Sequence, residues 1–251
     1  MTPPNLFVAL DIHDSEQINP ILQKLSNHIQ GIKIGLEFLY AIGWEKMKEV
    51  CEKNPYQLFL DVKLHDIPHT VARAIDGLVK NCQPDLITVH ASGGSAMLKA
   101  AVESAHEAAD KYRVRCPDLI AVTLLTSLEK SDLEDLGSFA SSLDQSLRLA
   151  NLAYQSGIQG VVCSGLEVGF LKAVFGSGLR LVVPGVRPSL QQAVDQKRII
   201  TPRQAIIEGA TDLVVGRPIL QAANPAEAAR AIQFEMQQAQ QELSQRKNAM
   251  M

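Results

Sequence analysis

The amino-acid sequence predicts a single α/β domain folded as a (β/α)8 barrel, and three observations support this. Short apolar or β-branched runs alternate along the chain with helical patterns, which indicates a parallel sheet covered by helices on its outer face. The length of 251 residues suits one such barrel, which typically has about 250 residues. No linker, low-complexity tract or change of composition divides residues 1–251. A doubly wound open sheet is the alternative, because strand patterns alone do not show closure.

The apolar runs give eight predicted strands. Their near-continuous apolar character is typical of strands in a parallel sheet that is buried on both faces. In chain order the predicted strands are Leu6–Leu10, Ile32–Gly35, Leu58–Lys63, Leu86–His90, Leu119–Leu125, Gly160–Cys163, Leu179–Val183 and Leu213–Val215.

Helical signals separate these strands. An apolar stripe at helical spacing follows the third strand and consists of Val71, Ala74, Ile75, Leu78 and Val79. Thr201-Pro202 and Asn224-Pro225 each place a capping side chain before a proline, as at the start of a helix. Gly209 marks the end of the helix before the last strand. From about Gln237 to residue 251 the chain is rich in Gln, Lys and Arg, and we expect a polar helix that frays into solvent.

The composition excludes several classes of function. A formal net charge of −3 and a pI near 6.1 argue against a nucleic-acid-binding surface. The four cysteines form no Cys-x-x-Cys pair, so we expect reduced thiols and neither disulfides nor a zinc site. The N-terminus does not resemble a signal peptide, and no stretch reaches membrane-spanning length. We therefore expect a soluble, cytoplasmic protein that binds neither nucleic acid nor membrane.

The most informative segment is Asp-Val-Lys-Leu-His-Asp at positions 61–66, directly after an apolar run. In an extended strand alternate side chains share a face, so Asp61 and Lys63 point the same way. Asp66 lies beyond the strand, where the chain must turn before Pro68. Charges that share a face at the end of a buried strand are costly unless they serve a function. The alternative is a solvated loop with a weak surface ion pair.

In a (β/α)8 barrel the carboxyl ends of all strands open at one mouth, and active sites lie there. Polar residues gather at these ends in this sequence, whereas the opposite ends look featureless. In strand order the mouth would hold Asp11, Lys33, Asp61, Lys63, His90, Thr126, Ser127, Ser164, Arg187 and Arg217. We interpret His90 as a residue bonded to the backbone rather than a catalytic one.

The loops after the seventh and eighth strands predict a phosphate site. Barrels commonly hold a phosphate at these two loops, using backbone amides and a short helix. Gly185 and Gly216 allow close approach of the backbone, and Arg187 and Arg217 offer forked donors for phosphate oxygens. The alternative is that both glycines are turn residues and both arginines lie at the rim.

Several motifs occur together and in order along the chain. They are Leu60-Asp61-Val62-Lys63-Leu64-His65-Asp66-Ile67-Pro68, Asp11 and Lys33 on the first two strands, Leu125-Thr126-Ser127, Pro184-Gly185-Val186-Arg187, Asp195-Gln196-Lys197-Arg198 and Val215-Gly216-Arg217-Pro218. Over nearly the whole chain this set resembles the signature of the orotidine 5'-phosphate decarboxylase family. The Asp-x-Lys-x-x-Asp-Ile-Pro element is specific. One departure is His69, where many family members carry Asn beside a substrate-contacting Thr.

The resemblance implies a (β/α)8 homodimer that converts orotidine 5'-phosphate to UMP and CO2, the last step of de novo UMP biosynthesis, without metal or organic cofactor. It implies that Lys63 donates the proton to C6 of the pyrimidine and that Asp61 lies beside the departing carboxylate. Lys33 would touch the ribose and complete an alternating array of Lys33, Asp61, Lys63 and Asp66. Asp66, Ile67 and Thr70 would reach into the neighbouring subunit's site.

The resemblance also implies the remaining contacts to the substrate. Asp11 would bind the ribose, and Thr126 with Ser127 beside it would contact the pyrimidine side. The phosphate would be held by Arg187, Gln196, Gly216 and Arg217. The segment 187–196 is then a plausible lid over the phosphate.

Two alternatives stay open. The metal-dependent branch of the same superfamily, which includes sugar-phosphate decarboxylases and aldolases, shares the Asp-x-Lys-x-x-Asp spacing but binds Mg²⁺ with a Glu on the second strand. This chain has Lys33 in the matching place, and a cation there would repel Mg²⁺. A catalytically silent barrel that only binds nucleotides is the other alternative. The four-residue charge array argues against it, because a binding protein gains little from buried charges.

Overall fold

The computed structural model describes residues 3–25, 28–53, 56–188 and 200–249 and shows a closed barrel of eight parallel strands. Each strand pairs with its neighbours in chain order, and the first pairs with the last. The predicted (β/α)8 fold is confirmed and the open sheet is excluded. The strands are β1 (Asn5–Ala9), β2 (Gly31–Gly35), β3 (Gln57–Leu64), β4 (Leu86–His90), β5 (Asp118–Val122), β6 (Gly160–Val162), β7 (Arg180–Val183) and β8 (Asp212–Val215).

Helices lie between the strands and follow the last one. They are α1 (Ser15–Leu25), α2 (Leu36–Ala41), α3 (Trp44–Lys53), α4 (Pro68–Cys82), α5 (Gly94–Tyr112), α6 (Lys130–Asp135), α7 (Ser142–Gln155), α8 (Val168–Phe175), α9 (Pro202–Glu208), α10 (Arg217–Leu220) and α11 (Pro225–Ala249). Within the described ranges, no helix is both long enough and apolar enough to cross a membrane.

The predicted strands all coincide with observed ones and differ from them by three residues or fewer at either end. The strand β4 matches at both ends. The strand β5 stops at Val122 instead of Leu125, and the apolar residues Leu124 and Leu125 line the mouth of the barrel instead. At β5 the apolar run thus continues beyond the strand and contributes apolar walls to the mouth.

The helix signals at the end of the chain are also observed. The Thr201 hydroxyl accepts a hydrogen bond from the backbone N–H of Gln204 at 3.1 Å. Gly209 has φ +107°, the left-handed conformation that ends α9. The tail differs from the expected fraying helix, because α11 continues to Ala249 and buries Ala239 completely. Polar composition there reflects one solvated face of a packed helix.

The core has two layers. Inside the barrel, the rings of Phe7 and Phe59 pack edge to face with centroids 5.6 Å apart. Gly31 is required beside them, since a Cβ at this position would lie 2.3 Å from the Phe7 ring. Between barrel and helices lies a larger apolar layer that includes the α4 stripe residues Val71, Ile75 and Val79. Side chains therefore fill the barrel interior below the mouth.

The amino ends of the strands carry a charged network, which corrects the expectation that they are featureless. Asp212 is fully buried and accepts hydrogen bonds from Asn5 at 2.7 Å and from two nitrogens of Arg180 at 2.6 and 3.1 Å. The same guanidinium reaches Asp118 on β5. Thr211 donates a further hydrogen bond to Asp212 at 2.7 Å. The network closes this end of the barrel.

Candidate active site

The strand ends meet at one pocket in the mouth of the barrel, as predicted. Its polar lining comes from β1, β2 and β3 on one side and from the loops after β7 and β8 on the other. Of the predicted site residues, the pocket is lined by Asp11, Lys33, Asp61, Lys63, Thr126, Arg187, Gly216 and Arg217. Its apolar lining includes Ala9, Phe59, Val122, Leu124, Val162, Val182 and Val214.

The charges on one side of the pocket form a continuous alternating series. The Lys33 ammonium lies 3.7 Å from Asp11 Oδ1 and 3.3 Å from Asp61 Oδ2. The other carboxylate oxygen of Asp61 lies 2.8 Å from Lys63 Nζ. Asp61 thus bridges two lysines, with 14% of its side chain exposed against 12% for Lys33.

The lysines keep Asp61 ionised despite its burial. Burial alone would raise the pKa of the Asp61 carboxyl, but the positive charges of Lys33 and Lys63 outweigh burial and lower that pKa below its ordinary value. The site therefore holds a fixed negative charge between two ammonium groups at neutral pH. Such a preorganised array can act on charge that appears or disappears during a reaction.

The backbone at Lys63 departs from the extended geometry that the sequence analysis assumed. Lys63 has φ +48°, in the left-handed region that non-glycine residues rarely adopt. The pairing of β3 with β4 is irregular here, with Leu60 opposite Ile87 and Leu64 opposite Val89. A conformation of this kind costs about 1–3 kcal/mol and tends to persist at functional sites. The predicted shared face of Asp61 and Lys63 is nonetheless observed.

Sequence reasoning missed one residue behind the array. Thr88 on β4 is fully buried, accepts a hydrogen bond from the Lys63 N–H at 2.8 Å and donates one to Asp61 Oδ1 at 3.1 Å. In the sequence it is a β-branched residue inside an apolar strand, where Thr also occurs as an ordinary sheet residue. Only its position opposite the irregular part of β3 reveals its partners.

The other side of the pocket is formed by the two loops for which a phosphate site is predicted. Gly185 has φ +75°, a conformation that favours glycine. Gly216 follows β8 and lies close to Asp11, because a Cβ at Gly216 would be 3.5 Å from Asp11 Oδ2. The Arg187 N–H donates to the carbonyl of Ile200 at 2.9 Å, so the backbone is held on both sides of the segment 189–199. Gln196 and most of the predicted lid fall in that segment, outside the described residues.

Within the described part of the chain, four of the residues that the family resemblance assigns to the site do not line the pocket. Asp66, Ile67, Thr70 and Ser127 are all exposed. Asp66 lies at the turn between β3 and α4 and accepts a hydrogen bond from the Ile67 N–H at 2.7 Å. The structure therefore joins three members of the four-residue array, Lys33, Asp61 and Lys63, and leaves Asp66 on the surface.

Two histidines lie beside the array. The rings of His65 and His90 have centroids 5.1 Å apart. Burial lowers the pKa of His90, and the nearby His65 and Lys63 lower it further. His90 is thus held neutral, which suits a supporting residue better than a proton donor at neutral pH.

A divalent cation has little to bind at this site. The Lys33 ammonium lies within ion-pair distance of both Asp11 and Asp61 and would repel a cation bound between them. Among the residues that the structure describes, no three His, Cys, Asp or Glu side chains are grouped as metal ligands. The expectation of metal-free chemistry remains a prediction.

The fold and sequence are similar to proteins of one family. A model of the orotidine 5'-phosphate decarboxylase / HUMPS family matches residues 4–232. The orotidine 5'-phosphate decarboxylase of Paramagnetospirillum magneticum is 44% identical, covering 92% of this chain and 97% of that protein. The corresponding protein of Sphingopyxis alaskensis is 46% identical, covering 93% and 99%. Among solved structures, orotidine 5'-phosphate decarboxylase from Lactobacillus acidophilus has a TM-score of 0.81 and 37% identity, covering 93% and 99%.

Proposed function

The chain belongs to the orotidine 5'-phosphate decarboxylase / HUMPS family, and we propose that it converts orotidine 5'-phosphate to UMP and CO2, the last step of de novo UMP biosynthesis. The observation that carries the proposal is the lysine–aspartate–lysine series on one wall of a pocket whose opposite loops present two arginines. Orotidine 5'-phosphate has matching parts: a carboxylated pyrimidine ring at one end and a phosphate at the other.

Lys63 is the proposed proton donor. Breaking the bond between C6 and the carboxylate leaves an electron pair on C6 in the ring plane, where the ring cannot delocalise it. The site must place positive charge beside that carbon and then supply a proton, and one ammonium group meets both needs. Lys63 remains close to Asp61, so its charge has a fixed position before the substrate arrives.

Asp61 is the proposed neighbour of the departing carboxylate. Two like charges about 4 Å apart at an effective dielectric constant of about 20 repel by about 4 kcal/mol. This repulsion disappears when neutral CO2 leaves, and it corresponds to roughly three powers of ten in rate. Enzyme accelerations reach about 10¹⁷-fold, so the larger share must come from stabilisation of the developing charge and from binding energy.

The phosphate supplies binding energy at a distance from the reaction. It takes no part in the chemistry, so its contacts can hold the pyrimidine against the charge array and exclude water. We assign this role to Arg187, Gly216 and Arg217, with Gln196 as a further predicted contact. We assign ribose binding to Asp11, which lies close to Gly216.

An assay of orotidine 5'-phosphate absorbance tests the proposal against its alternatives. Purified protein should deplete the substrate, produce UMP and CO2 in equal amounts, and keep its full rate after removal of metals by a chelator. Activity lost on chelation and restored by Mg²⁺ would favour the metal-dependent branch. Tight UMP binding without turnover would favour a silent nucleotide-binding barrel.

A second proposal concerns the assembly. Asp66, Ile67 and Thr70 are exposed in the single chain, so we propose a homodimer in which each subunit lends them to its neighbour's site. Mixing inactive Lys63→Ala and Asp66→Ala proteins should restore activity, because each hybrid dimer then contains one intact site. Random exchange predicts about a quarter of the wild-type activity. A mixture that stays inactive although hybrids have formed would contradict a shared site.

A further inference from the structure

We infer that the Thr88 hydroxyl is a positioning group that holds Lys63 and Asp61 in their working geometry. Thr88 lies in the middle of β4, on the strand next to the one that carries both charges. It does not line the pocket, so it would act through its two partners and not on the substrate. The inference rests on the proposed decarboxylation and adds a residue to it.

The donor and acceptor roles of the Thr88 hydroxyl can be assigned in only one way. An ionised carboxylate can only accept, so the one hydroxyl proton of Thr88 goes to Asp61 Oδ1 at 3.1 Å. The same oxygen then accepts from the Lys63 N–H at 2.8 Å. One buried oxygen therefore connects the backbone of the lysine with the side chain of the aspartate.

The irregular pairing of β3 and β4 explains why a side chain is needed there. Between the pairs Leu60–Ile87 and Leu64–Val89, β3 contains three residues and β4 contains only Thr88. Regular ladder hydrogen bonds cannot be made across unequal segments, so a backbone N–H there needs another acceptor. The hydroxyl of Thr88 provides that partner for Lys63, the residue with φ +48°.

The Thr88 hydroxyl thus restrains both residues of the contact between Lys63 and Asp61. The 2.8 Å separation of Lys63 Nζ and Asp61 Oδ1 depends on the direction of each side chain. Thr88 restrains the lysine through its backbone and the aspartate through its carboxylate. Lys33 holds the other carboxylate oxygen of Asp61. Loss of the hydroxyl should therefore release the lysine most.

Three variants test this role. Thr88→Val keeps the branched shape but removes the donor and the acceptor, whereas Thr88→Ser keeps both. Thr123→Val is the matched control, because Thr123 is also buried but donates to the carbonyl of Val162 at 2.9 Å. For each protein we would measure kcat and KM for orotidine 5'-phosphate, and determine UMP affinity and the number of binding sites by calorimetry.

We expect Thr88→Val to lower kcat per binding site by roughly 10- to 100-fold, with KM and UMP affinity changed by less than about 3-fold. Thr88→Ser should retain at least about a third of the wild-type kcat, since it restores the hydroxyl, and Thr123→Val should match the wild type. A folded Thr88→Val protein with wild-type kcat would overturn the inference. So would equal losses of kcat in the serine and valine variants.

The same experiments separate this inference from the proposed function. A wild-type protein that binds UMP but does not decarboxylate would refute the function, whereas an active wild type with an equally active Thr88→Val variant refutes only the role of Thr88. If the valine variant does not fold, Thr88→Cys replaces it, because a thiol fits the space but is a weak donor and acceptor. Wild-type kcat in that cysteine variant would likewise overturn the inference.

Discussion

At the amino ends of its strands the barrel carries a charge cluster whose central carboxylate is fully buried, whereas the cluster at the carboxyl ends includes a partly exposed lysine. Asp212 at the first end is fully buried and bonded by Asn5, Arg180 and Thr211. Asp61 at the second end bridges two lysines beside an open cavity. Both clusters alternate in sign and both are built on parallel strands.

The amino-end cluster and the mouth cluster differ in whether a charged group remains available to a ligand. Burial alone would lower the pKa of Arg180, but its hydrogen bonds to Asp212 and Asp118 outweigh burial and raise that pKa. That cluster is complete without any other molecule. At the mouth, Lys63 retains a side chain that is 32% exposed and a left-handed backbone. Buried charge by itself therefore does not locate an active site; a partly exposed charge on a strained backbone at the mouth of the barrel is the better indicator.

The largest expected difference between the two clusters comes from replacing an aspartate by asparagine at each end of the barrel. Asp61→Asn should lower kcat by roughly three powers of ten, because the repulsion of about 4 kcal/mol toward the substrate carboxylate and the anchor of Lys63 are both lost. Asp212→Asn should leave kcat per folded site within about 3-fold of wild type. Steady-state kinetics on both proteins would measure this. Equal losses would show that the two clusters do not differ in role.

For the free energy of unfolding we expect the reverse, with the larger loss at the amino-end cluster. Arg180→Met should lower the free energy of unfolding by about 3–4 kcal/mol, since it leaves Asp212 buried without its cation. Arg115→Met is the matched control, because Arg115 is paired with Asp85 but its side chain is 67% exposed, and the cost should stay below about 1 kcal/mol. Urea denaturation gives both values. Similar losses in the two variants would mean that burial of the pair does not matter.

The phosphate side of the mouth should show a smaller effect, confined to phosphorylated ligands. Arg217→Ala should weaken UMP binding by about 10- to 100-fold, equivalent to about 1.5–3 kcal/mol for a charged hydrogen bond. Uridine, which lacks the phosphate, serves as the control ligand and should bind the variant and the wild type equally. Calorimetry measures both affinities. Unchanged affinity for UMP would refute this assignment of the phosphate site.

The smallest expected effect is the pH dependence of the unfolding free energy contributed by Asp61. Because the pKa of Asp61 in the folded protein lies below its ordinary value of 3.8, its stabilising contribution is complete above pH 3.8 and is lost as the pH falls through the lower, folded pKa. The difference in unfolding free energy between wild type and Asp61→Asn should therefore stay constant between about pH 5 and pH 7. Urea denaturation across that range would check it. A wild-type protein that gains stability relative to Asp61→Asn as the pH falls from 7 to 5 would indicate a raised pKa instead.

Much of the fold could be predicted from the sequence, because each strand has its own apolar run and several helices have their own caps. The run Leu86–His90 gives β4 without error. The prediction was less accurate where an apolar residue serves the mouth instead of the sheet, as at Leu124, or where polar residues belong to a packed helix, as after Gln237. In both places tertiary contacts decide which structure the residues adopt, and these contacts cannot be inferred from residue type.

The site was predictable as a set of residues but not as a geometry. Lys33, Asp61 and Lys63 follow from strand ends and are found together. The left-handed backbone at Lys63 has no signal in the sequence, since lysine does not favour positive φ. Thr88 was missed for the same reason: its role exists only because β3 and β4 are out of register beside it.

The central claim is that the mouth cluster performs the reaction and that Lys63 supplies the proton. Its most direct test is the decarboxylation rate of Lys63→Ala, measured with its UMP affinity and its unfolding free energy. We predict that kcat falls by at least about four powers of ten while the protein stays folded and still binds UMP. A folded Lys63→Ala protein that decarboxylates orotidine 5'-phosphate at the wild-type rate would contradict the account.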